Sequence, residues 1–260
     1  MRRGFSCWYA EGETLPPLET FQDGAALADF AERARREENR RLWRVPPDNA
    51  PLPWAIPADG GTIDADFPKA KLEGGRAAVL WAAMDQLRRN GPPGCQLLFA
   101  MEGPFTALSR LLPLEEVYAA AQEDSPLFPW VEGELARCAA LAAEHGAALL
   151  SLADPVASPE LTGTAFFRRC CQERLVSLLR ALHRAAPQLP VHLCSALGRG
   201  LRDAGVCQSV PLSFQPGSEY EQALLEQLKR PESPKIISGG CLNRPHGPAA
   251  GLVELRLHLN

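Results

Sequence analysis

The chain lacks several features that mark whole classes of protein. No apolar run approaches the roughly 20 residues needed to span a bilayer, so no membrane segment is expected. Positive charge is not in excess: the 260 residues carry a net charge of −4, with a pI near 5.8. Neither nucleic acid nor an anionic membrane surface is therefore an expected partner. Met1-Arg2-Arg3-Gly4 gives way within a few positions to polar and charged residues, unlike a secretion signal. The eight scattered cysteines are accordingly expected as reduced thiols in a cytoplasm. There is no internal repeat and no low-complexity segment. No Gly-x-Gly-x-x-Gly follows the first expected strand, which argues against a dinucleotide-binding sheet.

What is present is alternation. Apolar, β-rich runs at 4–9, 42–45, 96–101, 147–152, 189–194, 206–214, 235–238 and 252–259 read as strands. Between them, 3.6-residue periodicity predicts helices at 24–41 (with Asp23 as cap), 76–89, 106–112, 114–122, 126–144, 158–186, 198–204 and 218–229. The segment 48–75 is rich in Pro, Gly and Asp and reads as a long loop, functional or covering. Eight strand candidates with helices between most of them predict an α/β protein of parallel strands, a compact (β/α)₈ TIM barrel forming one domain over 1–260. Arg33, Arg35, Arg36, Arg40 and Arg41 alternate with Glu32, Glu37 and Glu38 and read as a solvated helix face.

In such a barrel, chemistry sits at the C-terminal strand ends. The residues there are Glu11, Asp48, Glu102, Asp154, His192, Cys194, Gln215 and Cys241. His192 and Cys194 are two apart on one strand, so their side chains project to the same side. Imidazole and thiolate are ligands that zinc accepts, and Cys241, after Ser238-Gly239-Gly240, is the candidate third. The alternative is a core histidine beside a small buried thiol. Glu102 reads either as a general acid or as a loop-capping carboxylate. Asp154, before Pro155, reads either as a site residue or as a turn-initiating one. Asp48, in its Pro-rich loop, is expected to be structural. His246 is the substitute ligand should Cys241 not serve.

Three stretches carry a resemblance: Glu102-Gly103-Pro104-Phe105-Thr106-Ala107, Ala153-Asp154-Pro155-Val156-Ala157-Ser158 and Val191-His192-Leu193-Cys194. In order and spacing the chain resembles the uroporphyrinogen decarboxylase superfamily, and within it the zinc-dependent methylcobamide methyltransferases that act on coenzyme M. The resemblance implies a TIM barrel and a methyl transfer from a methylcorrinoid, carried by a corrinoid-binding partner protein, to a small-molecule thiol or pterin acceptor. It implies zinc held by His192, Cys194 and Cys241, which would turn an acceptor thiol into the nucleophilic thiolate. It further implies catalytic roles for Glu102 and Asp154 and cofactor contacts from Ser158 and Gln215. The sequence departs from the pattern in places. Ser195 follows Cys194 where the family has glycine, and one further strand candidate follows Cys241. The segment from Phe5 to Leu15 contains no arginine, which disfavours a decarboxylase acting on a polycarboxylate. A non-catalytic barrel that binds a corrinoid or tetrapyrrole, or docks a corrinoid protein, is the alternative function.

Overall fold

The computed structural model describes residues 22–48, 50–52, 70–230, 232–233, 235–242, 246–249 and 251–258. The strand expected at 4–9, with Glu11, lies outside the described residues, as does most of the 48–75 loop. The remaining strands form where expected: β1 (Leu42–Val45), β2 (Gln96–Glu102), β3 (Ala147–Ala153), β4 (Val191–Leu193), β5 (Cys207–Pro211), β6 (Ile236–Ser238) and β7 (Val253–Leu257). Around them run α1 (Gly24–Glu37), α2 (Gly75–Asn90), α3 (Pro104–Ser109), α4 (Leu114–Gln122), α5 (Leu127–Glu144), α6 (Gln172–Ala185), α7 (Ser195–Asp203) and α8 (Tyr220–Leu228). Asp23 caps α1 as expected, accepting from the Ala25 N–H at 3.0 Å. The helix expected over 158–186 is interrupted. Gly163 adopts φ +77°, a conformation glycine takes without strain, and Phe167–Cys171 forms a π-helical turn before α6.

The described strands make one seven-stranded sheet in the order β1-β2-β3-β4-β6-β7-β5. It is dominated by parallel pairing: β1 through β4 and β6 run together, while β7 pairs antiparallel with both β6 and β5. This corrects the expected run of eight parallel strands. Among the described residues the sheet is open, with β1 and β5 as its edges. The cause lies in the β6–β7 connection. Gly239-Gly240-Cys241-Leu242-Asn243-Arg244-Pro245-His246-Gly247-Pro248 has no helical pattern and two prolines, so it cannot supply a crossover helix. Gly239 (φ +113°) instead lies against the backbone of Gly251 (φ +91°), and β7 returns antiparallel beside β6. β5 is thereby displaced to the far edge, and β6 becomes the direct neighbour of β4, with His192 opposite Ile237.

Alternation along the strands gives the sheet two unlike faces. On the outer face Trp43, Val45, Phe99, Met101, Leu150, Leu152, Val191 and Leu193 join one large core with residues of α1 to α7. On the inner face Leu42, Leu98, Leu149, Ala153 and Ile237 pack against Tyr220, Ala223, Leu224 and Leu225 of α8 and against Leu242, Ala249 and Leu252. The arginine cluster is only partly the solvated face expected of it. Arg35 and Arg36 both pair with Glu32, but Arg40 is buried, its Nε 2.9 Å from Glu221 on α8. No described helix is long and apolar enough to cross a membrane.

Candidate functional site

Glu102 ends β2 on the inner face, in phase with Leu98 and Ala100. It is buried, and both its oxygens accept from Arg110, just past α3. Burial is the stronger influence and pushes its carboxyl up to about 7, while Arg110 pulls it down. Such a group can take up or release a proton near neutrality.

Asp154 follows β3 and is 1% exposed. Its carboxylate reaches across to the start of α3, accepting from the Phe105 N–H at 3.1 Å and from the Thr106 N–H at 2.8 Å and Oγ1 at 2.6 Å. A helix start leaves its first N–H groups without partners inside the helix, and Asp154 supplies those partners from another loop. The Gly-Pro-Phe-Thr sequence fits this role residue by residue. A Cβ on Gly103 would fall 2.5–2.7 Å from the Asp154 side chain, Pro104 opens the helix without needing a partner, and Thr106 adds its hydroxyl. Burial pushes Asp154 up to about 6, against these hydrogen bonds. Ser158, also buried, precedes the single turn Pro159–Thr162, and its carbonyl accepts from Leu161 and Thr162.

His192 lies mid-strand on β4, 1% exposed, on the inner face in register with Ser151 of β3. Its Nε2 is 2.8 Å from the Tyr220 hydroxyl, and the two rings meet edge to face at 77°. Its Nδ1 has no partner among the described residues. Burial holds the imidazole down to about 4, hence neutral, and burial likewise raises the Tyr220 phenol. Cys194 follows β4, its N–H donating to the Leu152 carbonyl, and is half-buried. Cys241 follows the bend after β6 and is close enough to influence Tyr220 electrostatically. Gln215 is exposed beyond β5, three strands along the sheet from His192, its N–H 3.4 Å from a Glu226 oxygen. His246 bonds Glu219 and the Glu38 carbonyl.

The structure thus brings Glu102, Asp154, Cys194 and Cys241 to neighbouring strand ends, with His192 inside β4 two residues before Cys194, and leaves Gln215 apart. A zinc ion does not fit the arrangement. Among the described residues no three His, Cys, Asp or Glu side chains are grouped as a metal would require, and Tyr220 occupies one nitrogen of His192. Tyr220 is the functional candidate missed from the sequence. The helix was expected from its periodicity, but periodicity does not say which face of the sheet a helix covers.

No protein-family model matches the chain. Two curated relatives do, each over 206 residues and 77% of this chain. They are the methylcobamide:CoM methyltransferase MtaA of Methanosarcina barkeri, 26% identical, and its counterpart from strain Fusaro, 27% identical. The chain spans 58% of the length of these relatives. Among solved structures, a methyltransferase from Methanosarcina mazei superposes with a TM-score of 0.58 at 20% identity, over 74% of this chain and 62% of that one. The resemblance read from the three motifs is therefore borne out: the chain is similar to methylcobamide methyltransferases in sequence, and to a methyltransferase in fold.

Proposed function

We propose that the protein, acting as one unit over its 260 residues, is a methyltransferase that moves a methyl group from a protein-bound methylcorrinoid to a small thiol or pterin. The observation that carries this reading is the 206-residue match to two methylcobamide:CoM methyltransferases. In the transfer the acceptor attacks the methyl carbon, and the electron pair of the carbon–cobalt bond stays with cobalt. The acceptor must lose a proton, and Glu102, buried at the C-terminal end of β2 and balanced near neutrality, is the group we assign to that proton. Asp154 fixes the loop on which Arg110 and Glu102 meet, and Ser158 anchors the adjoining turn. Gln215 keeps only the role of a contact to the partner or corrinoid. Zinc activation through His192, Cys194 and Cys241 forms no part of this reading, since among the described residues that donor set is not assembled. A cytoplasmic location goes with the reading.

The test is demethylation of methylcobalamin, followed by its absorbance, with thiol and with tetrahydropterin. A rate above the uncatalysed one that falls at least about a hundredfold in Glu102→Gln is expected, within the range general acid–base catalysis contributes, about 10²–10⁴-fold. No catalysed loss with any acceptor would sink the reading. One observation favours a second: α8 covers the inner face and bonds His192. A non-catalytic chain that binds a corrinoid or its carrier protein would shift the corrinoid spectrum without transfer.

A further inference from the structure

The first turn of α8 is tied down at each of its first residues. Glu219 bonds His246 at 2.7 Å. The Tyr220 N–H donates to the Gly247 carbonyl at 2.8 Å. Glu221 accepts from the Arg41 N–H at 2.5 Å and from Arg40 Nε at 2.9 Å, and Arg40 in turn donates to the Leu242 carbonyl. These ties hold the Tyr220 ring, 1% exposed, on the inner face of the sheet. One edge of the ring meets His192. Another edge lies against Gly240, where any side chain would overlap the ring. The residue before Cys241 is thus glycine because Tyr220 fills the space a side chain would need.

We infer that Tyr220 takes the place of a metal as the partner of His192, so that this chain carries a buried phenol–imidazole pair where a three-ligand metal centre would stand. A ligand nitrogen must present its lone pair to the ion, and Nε2 instead shares a proton with the phenol at 2.8 Å. The other nitrogen, Nδ1, is buried, with no triad of His, Cys, Asp or Glu around it among the described residues. To ligate through Nε2, the protein would have to withdraw a ring that five hydrogen bonds and a packed helix hold in place. The inference concerns the metal alone and stands whether or not the chain transfers methyl groups.

The experiment uses the full chain, purified from zinc-replete medium, with histidine labelled by ¹⁵N. Zinc content well below one equivalent is expected, unchanged in His192→Ala. Cobalt(II) titration should show no thiolate-to-cobalt charge transfer, and its affinity should match between wild type and His192→Ala. Even an outer partner of a true metal ligand is worth roughly 10–100-fold in affinity, so a loss of that size in His192→Ala would overturn the inference. Should that variant fail to fold, the wild type suffices. The His192 ring resonances are expected to stay put when zinc is added and to move in Tyr220→Phe, and a zinc-induced shift in the wild type overturns the proposal. Methyl transfer assayed after chelation separates the two readings. No transfer before or after chelation, with unmoved His192 resonances, would count against the methyltransferase and leave the phenol–imidazole pair standing, whereas transfer lost only on chelation, with His192 resonances that shift as the metal is removed, would overturn the pair.

Discussion

The two faces of the sheet are built on different principles. The outer face is mostly apolar, Ser238 aside, and is covered by α1 to α7, while the inner face mixes Leu42, Leu98, Leu149 and Ile237 with Glu102, Ser151 and His192. Hydrophobic burial is non-directional, so the outer face tolerates any helix with an apolar stripe of the right length. The inner face holds polar groups that cost free energy unless paired, and it therefore selects particular partners: Arg110 for Glu102, Tyr220 for His192. The difference teaches where specificity resides. The outer face supplies stability, and the inner face concentrates the polar groups that need particular partners.

The largest effect expected tests the outer face. Phe99 is fully buried and stacks on Trp81 with ring centroids 5.7 Å apart. Phe99→Ala should cost roughly 3–5 kcal/mol in denaturant unfolding, with the His192 resonances unchanged. A loss below 1 kcal/mol would mean that the outer core repacks freely.

Next comes the clasp that holds α8 against the inner face. Glu221→Ala removes one partner of a buried ion pair whose side chains are 4% and 8% exposed. Breaking such a pair costs roughly 3–5 kcal/mol. Arg40 keeps Glu38 and the Leu242 carbonyl, so about 3 kcal/mol is expected here. Unlike Phe99→Ala, this change should also raise hydrogen exchange along α8. Equal exchange in the two variants would erase the proposed distinction between faces.

How far the faces could be read in advance follows from the same distinction. The helices and strands of the outer face announce themselves by periodicity, because each buries an apolar stripe against a common core. Asp23 marks a helix start in the chain and does so in the structure. Arg40 misled, since a run of alternating charges looks solvated until a distant Glu221 is brought to it. Asp154 reads from sequence as either a turn or a site residue; Gly103, Pro104 and Thr106 make sense of it only once α3 lies beside it. The place of β5 depends on a connection that folds back on two glycines, a tertiary outcome that no local pattern encodes. Tyr220 was hidden because a helix on the inner face and one on the outer face carry the same pattern.

Acid and base separate the faces by another route. Glu102 has its carboxyl raised from 4.5 to about 7 by burial. The folded protein then holds that proton more tightly than the unfolded chain. Its contribution is fully present below pH 4.5 and is lost as pH rises through about 7, in all on the order of 3 kcal/mol. Asp154, raised from 3.8 to about 6, adds a loss of the same sign at lower pH. Unfolding free energy should therefore fall between pH 4.5 and 7, and Glu102→Gln should flatten that slope. A slope that survives the substitution would assign the titration elsewhere.

The smallest effect is the sharpest test of the inner face. Ser151 is fully buried between Leu150 and Leu152, which face outward, and it stands in register with His192. Its hydroxyl has no hydrogen-bond partner among the described residues. A buried, unpaired hydroxyl costs roughly 1–3 kcal/mol, so Ser151→Ala should leave stability unchanged or raise it by about 1 kcal/mol. That is the reverse of trimming a fully used core side chain such as Phe99. The reason to keep such a serine would be a ligand that hydrogen-bonds it beside His192. In that case Ser151→Ala would stabilise the free protein and at the same time weaken corrinoid or acceptor binding, and titration of both variants would show the two effects together. A loss of stability of 1 kcal/mol or more on Ser151→Ala, with no ligand added, would mean that the hydroxyl is already paired in the folded chain, and that the inner face is as fully satisfied as the outer one.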